Sequence, residues 1–455
     1  MQERDNSEPC QSRTSKRCSV TGSIFPQGSD KQPATDSFPP SRVFWLFLSQ
    51  ALTKDGSCRE TLQSFLAWLA CEKGKTASPN TAAYCKARAR LKTRDIEEAH
   101  QQVVRRMEDQ YAGEGLWRAR QVRIVDGSSA SMPDTPENQK AYPQPPGQKE
   151  GCGFPIMRIA ALFSLATGAT LALVKDHWRV PERTLFRRLW TYLNPGDVLL
   201  ADRGACGYAE MFLLSQRGVD CVMRNHPCRT KGVTQIKRFG KADRLVLWHK
   251  STVGPQWLTK TQWKAIPQRL AIREITVRVA IKGFRTKSLI LVTTLTDPKT
   301  FPKEAFAELY LKRWRAELYL RDIKTTMGMD ILRCKSPDMV EKELWMRIIA
   351  YNLVRALMLQ SAQTYSVSCE RISFKGTLST LRQWAPSLAH LSVRNPQRLS
   401  LYRTMLLYIA KDTLPYRPYR VEPRAIKRRP KPYQYLTKPR HLFKEIPHRN
   451  RYTKA

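Results

Sequence analysis

The order of strand and helix patterns between residues 119 and 225 constrains the fold of this chain more than any other feature. Residues 121–125 alternate between polar and apolar side chains, which is typical of a half-buried strand, and they run into Asp126-Gly127, a turn pattern. Three strand patterns are followed by helix, strand, helix and strand, which predicts a mixed α/β fold with one sheet covered by helices. The further strand patterns cover residues 158–166, 170–175, 197–200 and 220–223, and the helix patterns cover 181–193 and 209–217.

The charge balance indicates a polyanionic partner. The 455 residues include 78 Lys or Arg and 39 Asp or Glu, which leaves a formal net charge of +39. Such an excess repels itself unless a polyanion screens it, and nucleic acid is the usual one. A membrane surface is the other polyanion, but the longest uncharged apolar stretch, residues 159–174, is too short and too polar for a spanning helix. We therefore expect a nucleic-acid partner and no membrane.

Neither the N-terminus nor the cysteines indicate export. The first residues lack the apolar core and the cleavage site of a secretion signal. The eleven cysteines are odd in number and include no C-x-x-C pair, so they form neither a disulfide framework nor a zinc framework. These features predict a protein of a reducing cytoplasm.

Composition and periodicity divide the chain into six parts. The first 40 residues are polar and lack apolar periodicity. After residue 225, strand patterns appear where the next helix of the core is expected, which indicates an insertion. The predicted parts are a disordered leader (1–40), a helical DNA-binding domain (41–118), the first part of an α/β core (119–225), a β-rich insertion (226–296), the completion of the core by a catalytic helix and C-terminal helices (297–400), and a basic tail (401–455).

Two segments outside the core are strongly basic. Residues 411–455 hold 14 Lys or Arg and seven Pro, which predicts an extended tail that binds backbone phosphates. A helix predicted to begin near Asn80 either contacts DNA or presents a solvated basic face, and the sequence leaves both interpretations open. Its basic residues are Lys86, Arg88, Arg90, Lys92 and Arg94.

Two aspartates lie just past predicted strands. Asp126 follows the strand at 121–125, and Asp202 follows the short strand at 197–200. In an α/β sheet, ligands and metals are usually held at this edge. Taken singly, each has an ordinary explanation, because Asp-Gly after a strand is commonly a turn and Asp202 could cap the next helix.

A helical pattern at residues 303–324 aligns four polar side chains. They are Tyr310, Arg313, Glu317 and Lys324. At about 100° per residue they fall at roughly 0°, 300°, 340° and 320°, within one sector of about 60°. Apolar residues flank this stripe, and the helix follows a sheet that would bury it, which argues against a merely solvated face. Asp322 lies about 140° from Glu317 and is expected to face elsewhere.

These side chains suit phosphoryl transfer. Two strand-end aspartates and one helix glutamate form an all-oxygen ligand set that suits Mg²⁺ or Mn²⁺ better than zinc. Two such ions could clamp the attacking and the leaving oxygen of an in-line displacement. Arg313 and Lys324 would bind neighbouring phosphates, and Tyr310 would donate a hydrogen bond. The predicted catalytic residues and metal ligands are Asp126, Asp202 and Glu317.

The four residues of the helical stripe also match a known signature. Tyr, two residues, Arg, three residues, Glu, six residues and Lys is the pattern of the insertion sequence 4 family of DDE transposases, which this chain resembles at every position and gap. IVDGSS around Asp126 is similar to the first catalytic block of that family, and LLADRGACGY around Asp202 is similar to the second. Shorter similarities lie at 148–159, 373–378 and 422–433, so the resemblance covers roughly residues 42–435.

The resemblance implies a ribonuclease-H-like catalytic core that is interrupted by the insertion, preceded by the helical domain and followed by C-terminal helices. It implies cleavage at the ends of a mobile element, a hairpin intermediate, hairpin opening and strand transfer into target DNA. It further implies that a Trp of the insertion stacks on a flipped base. Trp248, Trp257 and Trp263 are the candidates, each of which also fits core packing, and Trp257 is taken as the DNA-binding residue.

The resemblance also implies an assembly. A synaptic complex holds two ends of double-stranded DNA, which implies a homodimer, and the resemblance suggests C-terminal helices such as residues 338–360 as the interface. Core packing is the alternative role for this helix. The expected location is the bacterial cytoplasm, in association with the nucleoid.

The predicted function is therefore DNA transposition by successive metal-dependent phosphoryl transfers, without a covalent protein intermediate. A structure-specific DNA nuclease on the same fold is one alternative. A non-catalytic DNA-binding relic is another, which the presence of all three acids and the whole stripe disfavours. An RNA-binding protein is disfavoured because the aromatic-rich strand motif typical of single-stranded recognition is missing.

Overall fold

The computed structural model describes residues 38–54, 56–73, 77–147, 149, 151–226, 233–278, 288–392, 394–417, 438 and 442–443. Its strands are β1 (Val122–Ser131), β2 (Ile156–Ser164), β3 (Thr170–His177), β4 (Val198–Ala201), β5 (Asp220–Arg224), β6 (Thr234–Gly240), β7 (Asp243–His249), β8 (Arg269–Arg278) and β9 (Ser288–Thr293). The expected leader, up to residue 37, and most of the expected tail lie outside the described residues.

The α-helices lie on both sides of this strand block in the chain and between its strands. They are α1 (Pro40–Leu52), α2 (Cys58–Lys73), α3 (Thr81–Arg90), α4 (Thr93–Gln110), α5 (Pro136–Ala141), α6 (Glu182–Arg188), α7 (Tyr208–Gln216), α8 (Lys260–Ala265), α9 (Lys303–Leu311), α10 (Arg315–Arg321), α11 (Pro337–Thr364), α12 (Phe374–His390) and α13 (Pro396–Lys411). None of the helices in the described ranges combines the length and apolar character needed to cross a bilayer.

The strands form one continuous mixed sheet. Their order is β3-β2-β1-β4-β5-β9-β8-β7-β6. β1 pairs antiparallel with β2 and parallel with β4, and β5 continues the parallel arrangement. β9 pairs antiparallel with β5 on one side and with β8 on the other, so the strands of the predicted insertion extend the sheet of the core. The mixed α/β class predicted from the order of patterns is confirmed.

The apolar stretch at residues 159–174 forms two strands, as its sequence predicts. β2 is buried over most of its length, and the first half of β3 is buried as well. Strands that are covered on both faces read as nearly continuous apolar runs. The chain reverses between them at Gly168, which has a positive φ of 70°.

β1 is longer than its sequence pattern predicts. The expected turn at Asp126-Gly127 is wrong, because both residues lie inside β1 and pair with β2, Asp126 opposite Ala161. The parallel pairing of β1 with β4 stops earlier, at Ile124 opposite Leu200. The antiparallel partner thus continues the strand beyond the edge of its parallel neighbour.

The long helix α11 is the central support of the sheet and of the helical layers. Every residue from Glu341 to Ala362 is buried or half-buried, and α1, α4, α12 and α13 pack against it. The alternative role of core packing is therefore correct for residues 338–360. Most of this helix is covered by its own chain, and the expected dimer contact stays a prediction.

Polar side chains fasten α4 and α11 to the beginning of β3. The Asn352 amide accepts a hydrogen bond from the Thr170 N–H (2.8 Å) and donates one to the Thr170 carbonyl (3.0 Å). The His100 ring Nε2 lies 3.0 Å from the same carbonyl. Burial lowers the pKa of His100 to about 4, so the ring is neutral and its Nε2–H donates to Thr170. These bonds satisfy backbone groups at the sheet edge.

The helical character of the N-terminal part is confirmed, but one basic residue of α3 has neither of its expected roles. Arg88 is 8% exposed. Its guanidinium lies 4.7 Å from the centre of the Phe47 ring and donates to the Gln50 side chain at 2.8 Å. It is a buried residue of the helical layer, whereas the other four basic residues of this segment are exposed.

The expected basic tail begins too early. Residue 401 lies within α13, which buries Met405, Leu406 and Ile409, and α13 packs against α11 and α12. The prediction of extended chain is therefore wrong for residues 401–411, whose apolar residues recur at helical spacing. The similarity segment at 422–433 lies outside the described residues.

We expect Gly168→Ala to destabilise the protein more than Gly196→Ala. Both glycines have positive φ, but only a side chain at 168 would meet the Arg355 guanidinium, 2.5 Å from its Nη2, while nothing lies within 4 Å at 196. Arg355 also donates to the Thr167 carbonyl at 2.8 Å. Chemical denaturation should show a loss of about 3 kcal/mol for Gly168→Ala and about 1 kcal/mol for Gly196→Ala. Equal losses of stability in the two variants would contradict the close approach of Arg355 to Gly168.

Candidate active site

The two strand-end aspartates lie side by side at one edge of the sheet. Ile124 of β1 is paired in register with Leu200 of β4. Asp126 and Asp202 therefore each lie two residues beyond the same registered pair. Neighbouring strands are about 4.8 Å apart, so these two side chains begin from adjacent positions. The sequence predicted both for this edge, although Asp126 reaches it from within a strand.

The environment of Asp126 disfavours its charged form. Its carboxylate accepts a hydrogen bond from the Gly127 N–H at 2.9 Å. The pKa of Asp126 is raised to about 6, chiefly by burial and also by the nearby carboxylates of Glu317 and Glu182, against the lowering effects of the Gly127 N–H and Arg313. A cation placed among these acids would stabilise their ionised forms.

The helical run that carries the signature residues is not a uniform α-helix. α9 is followed by a 3₁₀ turn at Lys312–Trp314, and α10 is followed by a π-helical turn at Asp322–Thr326. The assumed rotation of about 100° per residue is therefore wrong in these turns. The 3₁₀ turn is wound more tightly than an α-helix and the π turn more loosely. The rotation per residue is therefore larger than 100° in the first and smaller in the second. π turns inside helices are frequent at functional sites.

Arg313 is the shared neighbour of the three acids. It is 7% exposed, and its Nη2 lies 2.9 Å from Glu317 Oε1. It also interacts electrostatically with Asp202 and Asp126. The structure thus brings together Asp126, Asp202 and Glu317 around one buried guanidinium. Opposite charges in a partly buried site interact more strongly than at the surface.

Tyr310 lies under this cluster. The Tyr310 hydroxyl is 3.4 Å from the Ala201 carbonyl, the residue before Asp202, and burial raises its pKa. Lys324 is half-buried, and the Glu317 side chain is 50% exposed. The stripe therefore runs from the interior to the surface.

Asp322 faces away from Glu317, as its helical position predicts. Its carboxylate lies 3.6 Å from Arg321. Burial raises the pKa of Asp322, and Arg321 and Arg355 oppose that rise. It is thus held outside the group of acids around Arg313.

Helix α6 contributes two residues that sequence reasoning missed. Arg183 donates to the carbonyls of Gly204 (2.6 Å) and Cys206 (3.1 Å), which fixes the turn after Asp202. The Glu182 carboxylate occupies the space that a side chain at Gly127 would need. Pro181 predicts that a helix begins here, but a helix start does not indicate which distant loops Glu182 and Arg183 contact.

The three tryptophans of the insertion differ in exposure. Trp248 and Trp263 are buried, at 2% and 8% exposure, whereas Trp257 is half-buried. The Arg187 guanidinium lies 4.3 Å from the centre of the Trp257 ring, and Trp190 meets that ring edge-on at 6.2 Å. Trp257, Arg187 and Trp190 line a cavity of about 680 Å³.

The donor chemistry of the site fits a hard divalent cation. Within the described residues, no group of three or more His, Cys, Asp or Glu side chains is placed to hold a metal ion. Asp126, Asp202 and Glu317 are instead arranged around the Arg313 guanidinium, which acts as their counter-charge. Three oxygen donors and a raised Asp126 pKa are consistent with a place for Mg²⁺ or Mn²⁺.

Asp126 and Asp202 lie just past the last parallel pair of β1 and β4, and a later helix brings Glu317 to them, which is the arrangement expected of the DDE transposase class. The family described as Transposase DDE domain matches residues 117–353. The chain is also 30% identical over 340 residues to the transposase InsG for insertion sequence element IS4 of Escherichia coli (strain K12), which covers 71% of each chain. This chain belongs to the insertion sequence 4 family of DDE transposases.

One solved structure is similar over most of the chain. It is the cryo-EM structure of a piggyBac transposase synaptic complex with hairpin DNA. The similarity covers 87% of this chain and 79% of the other, at 10% sequence identity and a TM-score of 0.42.

We expect Arg183→Ala to loosen the turn that follows Asp202. The change removes two hydrogen bonds to backbone carbonyls, so amide hydrogen exchange of the peptide that covers residues 202–207 should rise about tenfold. Arg188→Ala is the matched control on the same helix, because Arg188 pairs with Asp176 at 2.7 Å and does not contact the turn. Unchanged exchange in Arg183→Ala would show that the turn does not depend on it.

Proposed function

We propose that this transposase cleaves the ends of an insertion sequence and joins them to target DNA by metal-dependent phosphoryl transfer. The observation that carries the proposal is the grouping of Asp126, Asp202 and Glu317 around Arg313, with Tyr310 beneath it. A site with this chemistry and a chain with a net charge of +39 suit a polyanionic substrate.

Asp126, Asp202 and Glu317 would hold two Mg²⁺ or Mn²⁺ ions. The ions would supply Lewis-acid activation of the nucleophile and stabilisation of the leaving oxygen. Glu317 could turn toward such an ion because its side chain is 50% exposed, although it pairs with the buried Arg313 in this structure. Arg313 would then bind a phosphate beside the scissile bond with its fork of N–H groups.

Lys324 and Tyr310 would complete the contacts to DNA. Lys324 is half-buried, so its ammonium group can reach a phosphate without losing all of its hydration. The raised pKa of Tyr310 keeps its hydroxyl protonated, so it can donate a hydrogen bond to a phosphate oxygen. Neither residue acts as a general base in this proposal.

We infer that the core belongs to the ribonuclease-H-like class. The support is the five-strand part of the sheet, β3-β2-β1-β4-β5, with β2 antiparallel to its neighbours and acids two residues beyond the last parallel pair of β1 and β4. The glutamate arrives from the helix that follows β9. The long separation of Asp202 from Glu317 is filled by strands that continue the same sheet.

Trp257 is the residue of the insertion that we propose for stacking on a flipped base during hairpin formation. The support is its half-buried ring beside a cavity of about 680 Å³, while Trp248 and Trp263 are buried. The Arg187 guanidinium covers one face of the ring, so a base would displace it or use the other face. Base–aromatic stacking contributes about 1–3 kcal/mol per base.

Joining two DNA ends requires two protomers, and we propose a homodimer in the synaptic complex. Its expected interface at residues 338–360 stays a prediction, since most of that helix is covered within one chain. Binding to chromosomal DNA would place the protein at the bacterial nucleoid. A structure-specific nuclease is the alternative function, and it would cleave without paired terminal repeats.

Replacing Glu317 by Gln should reduce cleavage of a cognate element end by at least about a hundredfold, the effect of losing one electrostatic contact to a transition state. Binding of the end should be unchanged. Glu308→Gln is the control, because Glu308 is a surface acid on the same helical run, 78% exposed and paired with Lys312. Single-turnover cleavage with Mg²⁺ measures both, and hairpin product on paired ends separates a transposase from the nuclease. Retained cleavage in Glu317→Gln would overturn the assignment.

A further inference from the structure

A second cavity lies away from the acids, between the N-terminal helices and the beginning of α11. Its volume is about 850 Å³. Residues of α1, α2 and α3 form one side, and residues 333–336 with the beginnings of α5 and α11 form the other. A cavity of this size accommodates a small molecule or a projecting group of a larger one.

The cavity is lined by a buried cation that has no anionic partner. Arg88 is 8% exposed, and no carboxylate among the described residues lies within ion-pair distance of it. Its contacts are the neutral Gln50 side chain, the Cys85 thiol and the rings of Phe47 and Tyr84. Its Nε is buried and has no hydrogen-bond partner. Buried charges in proteins are ordinarily paired, so this one indicates a missing anion.

Two of the nearby thiols, Cys85 and Cys334, do not supply that negative charge. Cys58, Cys85 and Cys334 lie within electrostatic reach of Arg88. Burial raises the pKa of Cys85 and of Cys334, so these thiols stay protonated near neutral pH. The Tyr84 hydroxyl is also protonated, because burial raises its pKa.

Two long helices begin at the cavity. Ser57 and Cys58 at the beginning of α2 line it, and so does Ser336 at the beginning of α11. The beginning of α2 is capped, because the Ser57 hydroxyl accepts the Glu60 N–H at 3.1 Å. The beginning of α11, a helix of 28 residues that starts with Pro337, receives no capping hydrogen bond from the Ser336 side chain. Unsatisfied N–H groups and the helix dipole favour an anion at such termini.

Among the described residues, the rest of the cavity wall carries charges of both signs. Arg333, Lys335 and Arg347 line it together with Glu137 and Glu343. Glu343 is satisfied internally, since it pairs with Arg347 at 2.9 Å and accepts the N–H groups of Arg333 and Cys334 at 2.8 and 3.0 Å. With Arg88, the described part of the wall has four cations and two carboxylates.

We propose that this cavity binds a phosphate group, with Arg88 as its buried counter-charge and the uncapped first turn of α11 as an N–H donor. A phosphate accepts several hydrogen bonds at once and suits the planar guanidinium. The group could come from a free phosphorylated molecule or from the backbone of a DNA strand that contacts the N-terminal helices. The site is separate from the three acids, so it does not depend on the proposed cleavage chemistry.

Calorimetric titration of the full chain with inorganic phosphate, pyrophosphate and a short duplex, all with a chelator present, tests the site. Arg88→Met should weaken binding of at least one of these probes by about tenfold or more, which corresponds to 1.4 kcal/mol. Arg94→Met is the control, because Arg94 lies in the same basic segment and its side chain is 85% exposed. Weaker binding of phosphate or pyrophosphate in Arg88→Met identifies a small phosphorylated ligand. Weaker binding of the duplex alone identifies DNA.

Thiol labelling of the unaltered protein gives a second readout that needs no folded variant. Cys58 lines the cavity, whereas Cys71 on the same helix is exposed and is not part of its wall. The effective probe should slow maleimide labelling of Cys58 and leave that of Cys71 unchanged. Equal affinity of every probe for wild type and Arg88→Met would overturn the proposal, as would labelling of Cys58 that no probe slows.

Discussion

The electrostatic balance of three carboxylates around one buried guanidinium determines what this site can do. Asp126, Asp202 and Glu317 carry like charges, so grouping them at one sheet edge costs free energy unless a cation is among them. Arg313 supplies that charge from a position that is 7% exposed. Burial still raises the pKa of Asp126 to about 6, so the guanidinium does not fully offset the cost of the charged form. Divalent ions would offset the rest and release Arg313 toward a phosphate.

The helical run that carries Arg313 and Glu317 is held at both ends by other buried arginines. At its beginning, Arg273 forms a two-bond pair with Asp243 (2.8 and 2.6 Å) and donates to the Phe301 carbonyl at 2.7 Å. At its end, Arg347 donates to the Met327 carbonyl at 2.5 Å. The first arginine belongs to β8 and the second to α11. The insertion and the central helix therefore both fix the position of the catalytic helix.

Local patterns predicted the elements well and the long-range contacts poorly. Alternation and helical spacing identify the strands and helices because each depends on near neighbours in sequence. The Asp126-Gly127 pattern predicts a turn, but pairing with β2 prolongs the strand through both residues, and no local pattern reveals that pairing. The burial of Arg88, the bonds of Arg183 and the covering of α11 likewise arise from contacts between distant segments. The spaced signature identified the family correctly because its four residues lie close together in sequence, within one helical run, and so form a local pattern.

The most direct measurement is an experimental structure with Mn²⁺ and a DNA end, in which anomalous scattering locates the metal. We predict Mn²⁺ bound by carboxylate oxygens of Asp126, Asp202 and Glu317, at the six-coordinate oxygen sites that this ion prefers, with the Arg313 guanidinium turned to a phosphate. Manganese bound elsewhere, or an Arg313–Glu317 pair that persists with DNA and metal present, would contradict the assignment of these three acids.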